Sequence, residues 1–234
     1  MSRPVKFLMV SMAVAGLLTL GVQAAPSQGD VSKEINLITN AATAVVAGLQ
    51  AKINAGTLPA EEADAGKLRQ AFLEQFRKLA NADFQQAPDP KLEEIRKAFA
   101  EAFDAVTGKY RSDMVKGGQD AFVPAFFRAQ LLELFNKQAN GKYQAIVTTR
   151  PSELINRDSA PDKIIADKAV LDFVAGLLDK GEVEPKSTQI GQRLVSYWPM
   201  RIAEPCATCH LRNGLEQKVG AFGGATIVVV EPKF

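Results

Sequence analysis

Apolar residues recur at helical spacing through the first half of the chain and give way to β-branched runs in the second. Over 31–56, Ile35, Ile38, Ala42, Val45 and Leu49 fall near one face of a 3.6-residue repeat, which predicts an amphipathic helix. Gly56 and Pro59 punctuate it, and a second helix follows over 60–82 with Leu68, Phe72, Phe76 and Leu79 on its apolar face. A third begins near Pro90, a favourable first-turn residue, and carries Leu92, Ile95, Phe99, Phe103 and Val106 as a stripe. These phenylalanine stripes read as packing surfaces between helices rather than as a ligand site.

The segment "KGGQDAFVP" (116–124) breaks the pattern, and a fourth helix is expected over 125–138 with Phe127, Leu131, Leu134 and Phe135 inward. "NGK" (140–142) is a turn, and "YQAIVTT" (143–149) reads as a strand by its β-branched content. A polar loop leads to a helix over 162–179. "QRLVSYWPMRI" has strand character as far as Pro199, and "FGGATIVVVE" is the clearest strand in the chain. The expected fold class is therefore α+β: N-terminal helices, then an antiparallel sheet domain.

The first 24 residues change the context. Arg3 and Lys6 precede an apolar run over 7–22, and Val22 and Ala24 suit the small-residue positions of a signal-peptide cleavage site. The run is short for a membrane span of about 20 residues. Export with cleavage near Ala24 is expected, hence a periplasmic location and no membrane insertion of the mature chain. The whole sequence carries 28 basic and 26 acidic side chains; losing Arg3 and Lys6 leaves 26 of each. A net charge near zero provides no field for nucleic acid.

The chain has two cysteines and one histidine, and all three stand in "CATCH", as Cys206, Cys209 and His210. Disulfide stapling does not explain them, because a Cys206–Cys209 bridge closes too small a loop to stabilise a fold of this size. A zinc site needs three or four protein ligands, and adjacent Cys209 and His210 are poorly placed on one tetrahedral ion. A Cys–His catalytic pair needs side chains that converge, whereas sequence neighbours point apart. A C-x-x-C dithiol remains open but leaves His210 without a role. Covalent haem attachment uses all three: the thiols form thioethers to one porphyrin edge, and the next residue puts its imidazole on iron. One haem c, held through Cys206 and Cys209 with His210 as proximal ligand, is the expectation.

No second histidine exists, so the sixth iron position has other candidates. The mature chain has two methionines, Met114 and Met200, and Met/His ligation would favour ferrous iron and electron transfer. An open, water-bound or weakly held position stands beside them, with Lys, Tyr or a backbone group as further candidates. Arg201, Arg212 and Arg150 are candidate partners for the haem propionates, since the planar guanidinium suits carboxylates. Trp198, the only tryptophan, with Tyr197 and Phe222, is a candidate wall for the ring.

The stretches "VPAFFRAQLLELFNKQ" (123–138), "TTRPSELINRDSAPDK" (148–163), "YWPMRIAEPCATCH" (197–210) and "KVGAFGGATIVVV" (218–230) follow one another in a recognisable order. Together they resemble the haem-binding domain first catalogued as a domain of unknown function. That domain occurs as stand-alone exported proteins and as the sensing module of some histidine kinases. The resemblance covers roughly 115–234. It implies a PAS-like fold, with a haem held against an antiparallel sheet, and redox or gas sensing rather than turnover. Some relatives supply a distal cysteine just before the segment matching "VPAFF"; here Ala121, Phe122, Val123 and Pro124 stand there, so no sixth ligand carries over. The loop after Arg150 also departs from the usual Asn-Pro-rich form.

The expected organisation is thus a signal peptide (1–24), a helical N-terminal region (25–114) and a PAS-like c-type haem domain (115–234). The expected function is a periplasmic monohaem protein for redox or small-gas sensing or single-electron transfer, working with a redox or signalling partner. A haem peroxidase-like enzyme is the runner-up, with Glu or Asp replacing the distal histidine the chain lacks; a dithiol oxidoreductase comes third. Intact-mass measurement of the exported protein should give a chain beginning at Ala25; retention of Met1 would identify an uncleaved leader.

Overall fold

The computed structural model describes residues 25–118, 122–154, 160–202, 204, 207 and 218–234. The expected leader, 1–24, lies outside the described residues. The elements are α1 (Gln28–Ala55), α2 (Ala65–Ala80), α3 (Pro90–Lys116), α4 (Pro124–Ala139), β1 (Tyr143–Thr148), α5 (Pro161–Ile164), α6 (Lys168–Lys180), β2 (Lys186–Ile190), β3 (Arg193–Arg201) and β4 (Phe222–Val230). The fold is α+β, with one four-stranded antiparallel sheet in the order β1-β4-β3-β2.

Local chemistry sets the helix ends. Ser27 caps α1 by accepting the Asp30 N–H, while its own N–H donates to the Asp30 carboxylate at 2.9 Å, a reciprocal capping box. These bonds hold the Asp30 carboxyl below its ordinary value of 3.8. Its share of the stability is therefore complete above that value and is lost as the pH falls through the lowered one. Asp64, Asp89 and Asp167 cap α2, α3 and α6, and Pro90 and Pro124 open α3 and α4.

The helices pack on one face of the sheet, and α6 packs on the other. Phe72 stacks on Phe103 with centroids 4.8 Å apart, Phe99 meets Phe135 at 5.2 Å, and Phe135 stacks on Tyr143 of β1 at 5.2 Å. The aromatic contacts thus run from α2 through α3 and α4 to the sheet. Ala145, Val228 and Val230 belong to the same hydrophobic cluster as Val31, Ile35 and Ile38 of α1. The helical region and the sheet therefore share one core. The opposite face buries Val195, Tyr197, Ala225 and Ile227 against Val170, Val174 and Leu178 of α6. β4 is buried on both faces, which explains its unbroken apolar run.

The single helix expected over 162–179 is two, α5 and α6, parted by 165–167, and other details differ from the sequence expectation. Leu79, placed on the inward face of α2, is 48% exposed in the last turn of the helix. β2, over residues that no sequence pattern singled out, is a strand made of "KSTQI". Its polar composition hides it, and its strand geometry comes from pairing with β3 across the turn at Gly191, with Ser187 Oγ 3.0 Å from Ser196 Oγ. β3 continues through Pro199 to Arg201. β2 begins opposite Tyr197, so Pro199 lies where one side of β3 carries no ladder, the position a strand proline tolerates.

One buried ion pair ties α1 to α3. Arg96 Nε donates to Glu34 at 2.5 Å, and Nη1 donates to the carbonyls of Asp83 and Phe84 at 2.7 and 3.1 Å. The guanidinium also lies 4.8 Å from the Phe76 centroid. Glu34→Ala should cost about 3–5 kcal/mol by leaving this cation buried and unpaired. The check is a urea titration, in which the midpoint falls and the slope is unchanged.

Candidate functional site

"CATCH" belongs to the connection between β3 and β4, and Cys206, Cys209 and His210 lie outside the described residues, as does Arg212. The base of that connection is described. The Ile202 N–H donates to Ala221 O at 2.9 Å and the Gly220 N–H to Ile202 O at 2.8 Å, so the ladder extends one step beyond Arg201 before the chain leaves the sheet.

Two glycines shape this end of the sheet. Gly223 is the extra residue of a bulge, since Met200 pairs with Gly224 and Arg201 with Phe222. A Cβ on Gly223 would meet Ile202 Cγ1 at 2.9 Å. Gly224 has φ +121°, and a Cβ there would stand 2.7 Å from Thr148 O and 3.2 Å from Met200 Cε. "FGG" is thus a close-approach sequence, holding β1, β4 and β3 tightly together where the motif loop departs.

The alternation of β3 divides the residues grouped around the motif. Tyr197 points to the α6 side, fully buried, with its hydroxyl donating to Glu182 O at 2.9 Å. Burial pushes the Tyr197 phenol up to about 12. Phe222 is on that same side, with the Arg150 guanidinium 5.1 Å from its centroid. Trp198 packs against the helical core, and its indole N–H donates to Ser32 Oγ of α1 at 3.1 Å. Tyr197 and Phe222 therefore cannot share one wall with Trp198. Arg150 is paired with Glu153 at 2.8 Å and donates to Leu178 O at 2.9 Å. Arg201 is exposed and donates to Gly220 O at 3.2 Å. Met114 is fully buried in the helical core.

Met200 has a partner the sequence reading missed. Arg128, in the second turn of α4, donates from Nη1 to Met200 Sδ and from Nη2 to Thr226 Oγ1 of β4. Nη2 also reaches Asn40 Oδ1 of α1 at 3.5 Å, and Thr226 Oγ1 stands 3.9 Å from Met200 Sδ. Arg128 is only 5% exposed, and among the described residues its Nε–H has no acceptor and no carboxylate pairs with it. Desolvating a guanidinium costs several kcal/mol, and its acceptors here are a thioether, a hydroxyl and an amide oxygen at 3.5 Å, none of them an anion. Burial away from water lowers the Arg128 pKa to about 10. It is still a cation at neutral pH.

A signal for Arg128 did exist. It falls at helical spacing with Leu131, Leu132 and Phe135, so the apolar stripe of α4 contains a charge. Thr226 and Asn40 gave no comparable sign, because only the packing of α1 and α4 on the sheet brings them to it.

Fold and site together define an α+β protein in which the chain segment bearing the cysteines connects β3 to β4 and, among the described residues, a buried arginine near that end of the sheet has no carboxylate partner. No protein-family model, curated protein or solved structure matches the chain.

Gly224→Ala should cost roughly 1–3 kcal/mol through its positive φ, plus the clash with Thr148 O. Gly141 has φ +77° with open space around it, so Gly141→Ala reports the backbone strain alone. In parallel urea titrations the Gly224 variant should lose clearly more stability; equal losses would mean the close approach at the sheet end relaxes freely.

Proposed function

We propose that the chain is an exported, periplasmic protein carrying one covalent haem c. Its task is sensing redox state or a small gas, or passing single electrons to a partner. The observation that carries this is the concentration of both cysteines and the only histidine in "CATCH". Cys206 and Cys209 would form the thioethers and His210 would bind iron. The haem supplies a one-electron couple and a site for a diatomic ligand. Further support comes from the surroundings. The motif loop leaves the sheet beside Met200, and a buried cation without a carboxylate suits a group that brings its own carboxylates. The antiparallel sheet flanked by helices is compatible with the PAS-like reading. Among the described residues no helix is long and apolar enough to cross a membrane.

The residues set conditions on the sixth ligand. Met200 can bind iron only if its sulfur leaves the Arg128 donor. Met114 can do so only by leaving the helical core. Both requirements favour a position that is open or readily displaced, and with it the sensing role over the carrier role.

The test is the optical spectrum of protein expressed with haem-maturation machinery, reduced with dithionite, before and after carbon monoxide. A thioether-haem spectrum with a Soret shift on carbon monoxide is the expected result. An unshifted spectrum would show two firm axial ligands and favour electron transfer, with Met200→Ala and Met114→Ala identifying the second ligand. Absence of thioether haem despite competent maturation would overturn the haem reading and leave the dithiol.

A further inference from the structure

The two buried arginines differ in a way that points to a ligand. Arg96 has Glu34, two backbone carbonyls and an aromatic face. Arg128, equally buried, has a thioether, a hydroxyl and a distant amide oxygen, and its Nε–H is unmet. A guanidinium presents five donors in a planar fork, and none of those acceptors carries charge. Buried charges are otherwise paired, so the setting of Arg128 is that of a cation awaiting an anion.

Its place in the fold narrows what that anion is. α4 runs antiparallel to β1, with Asn136 bonded to Ala145 in both directions at 2.7 and 2.8 Å. The N-terminal half of α4 therefore lies toward the end of the sheet from which the motif loop departs. Arg128 contacts Met200, two residues before Ile202 at the base of that loop. The other described arginines near the loop are committed or exposed: Arg150 to Glu153, and Arg201 outward.

We propose that Arg128 is the anchor for one haem propionate, taking the carboxylate on the fork that now rests on Met200 and Thr226. This rests on the reading of "CATCH" as a haem-attachment motif. The pairing completes the charge balance of the buried arginine and fixes the rotation of the ring relative to the sheet. It also ties α1, through Asn40, to the cofactor. A charge-assisted bidentate pair is the geometry for which arginine is suited and lysine is not.

The experiment compares haem-loaded full-length protein with Arg128→Lys and Arg128→Met, reading midpoint potential and the propionate bending modes in resonance Raman spectra. Thioether-haem content of the unsubstituted protein, measured as the pyridine complex, checks the underlying reading separately. Arg128→Met should lower the midpoint potential, because the propionate charge then favours ferric iron, and should shift the propionate band. Arg128→Lys should keep the potential nearer the parent while still shifting the band, so it decides the matter if the methionine variant does not fold. Haem present but band and potential unmoved in the folded variants would overturn the assignment and leave the haem reading intact. Absence of thioether haem would remove both. Two alternatives have their own arms. Asp120, Asp158 and Glu216 lie outside the described residues. If Asp120→Asn, Asp158→Asn or Glu216→Gln destabilises the protein and leaves Arg128→Met without further effect, the partner is that side chain and the proposal fails. If exchanging phosphate for chloride buffer moves the potential in the parent but not in Arg128→Met, with the propionate band fixed, the anion is free phosphate and the proposal fails.

Discussion

The two-residue alternation of β3 and β4 is the constraint on which the rest of this structure depends. Val195, Tyr197, Ala225 and Ile227 point to α6, and Trp198, Thr226, Val228 and Val230 point to the long helices. A one-residue slip would exchange the two sets and put Thr226 into the wholly apolar α6 cluster. Register is therefore held from both faces at once. The Gly223 bulge then allows the paired strands to stay together to the point where the motif loop leaves.

Around that sheet the protein handles two buried cations differently. Arg96 is paired with a carboxylate where α1, α3 and the segment before α3 converge, and the pair with Glu34 acts as a fastener between helices. Arg128 is placed where α1, α4, β3 and β4 converge, on neutral acceptors only. A buried cation that meets only neutral acceptors among the described residues leaves electrostatic capacity at that place. Under the proposed haem reading, a propionate would supply the missing charge.

Much of the architecture was legible in the chain. The phenylalanine stripes identified three helices because apolar spacing of three and four residues has one efficient use. β4 was legible because a strand buried on both faces needs apolar residues at every position. β2 was not, because a polar edge strand has no pattern of its own and exists by pairing with β3. Leu79 misled because periodicity shows which face a residue is on, and not how deeply it is buried.

The candidate site divides along the same line. "CATCH" is local chemistry: thiols and imidazole at fixed spacing imply their use wherever the loop lies, so the sequence by itself determined the cofactor expectation and the residues that carry it. It also determined that an arginine sits in the apolar stripe of α4. Only the tertiary structure decided that this arginine would meet Met200, Thr226 and Asn40 without a carboxylate, and that Tyr197 and Trp198 would face opposite layers. The reason is physical. Covalent attachment depends on neighbours along the chain, whereas burial of a charge depends on which distant segments close over it.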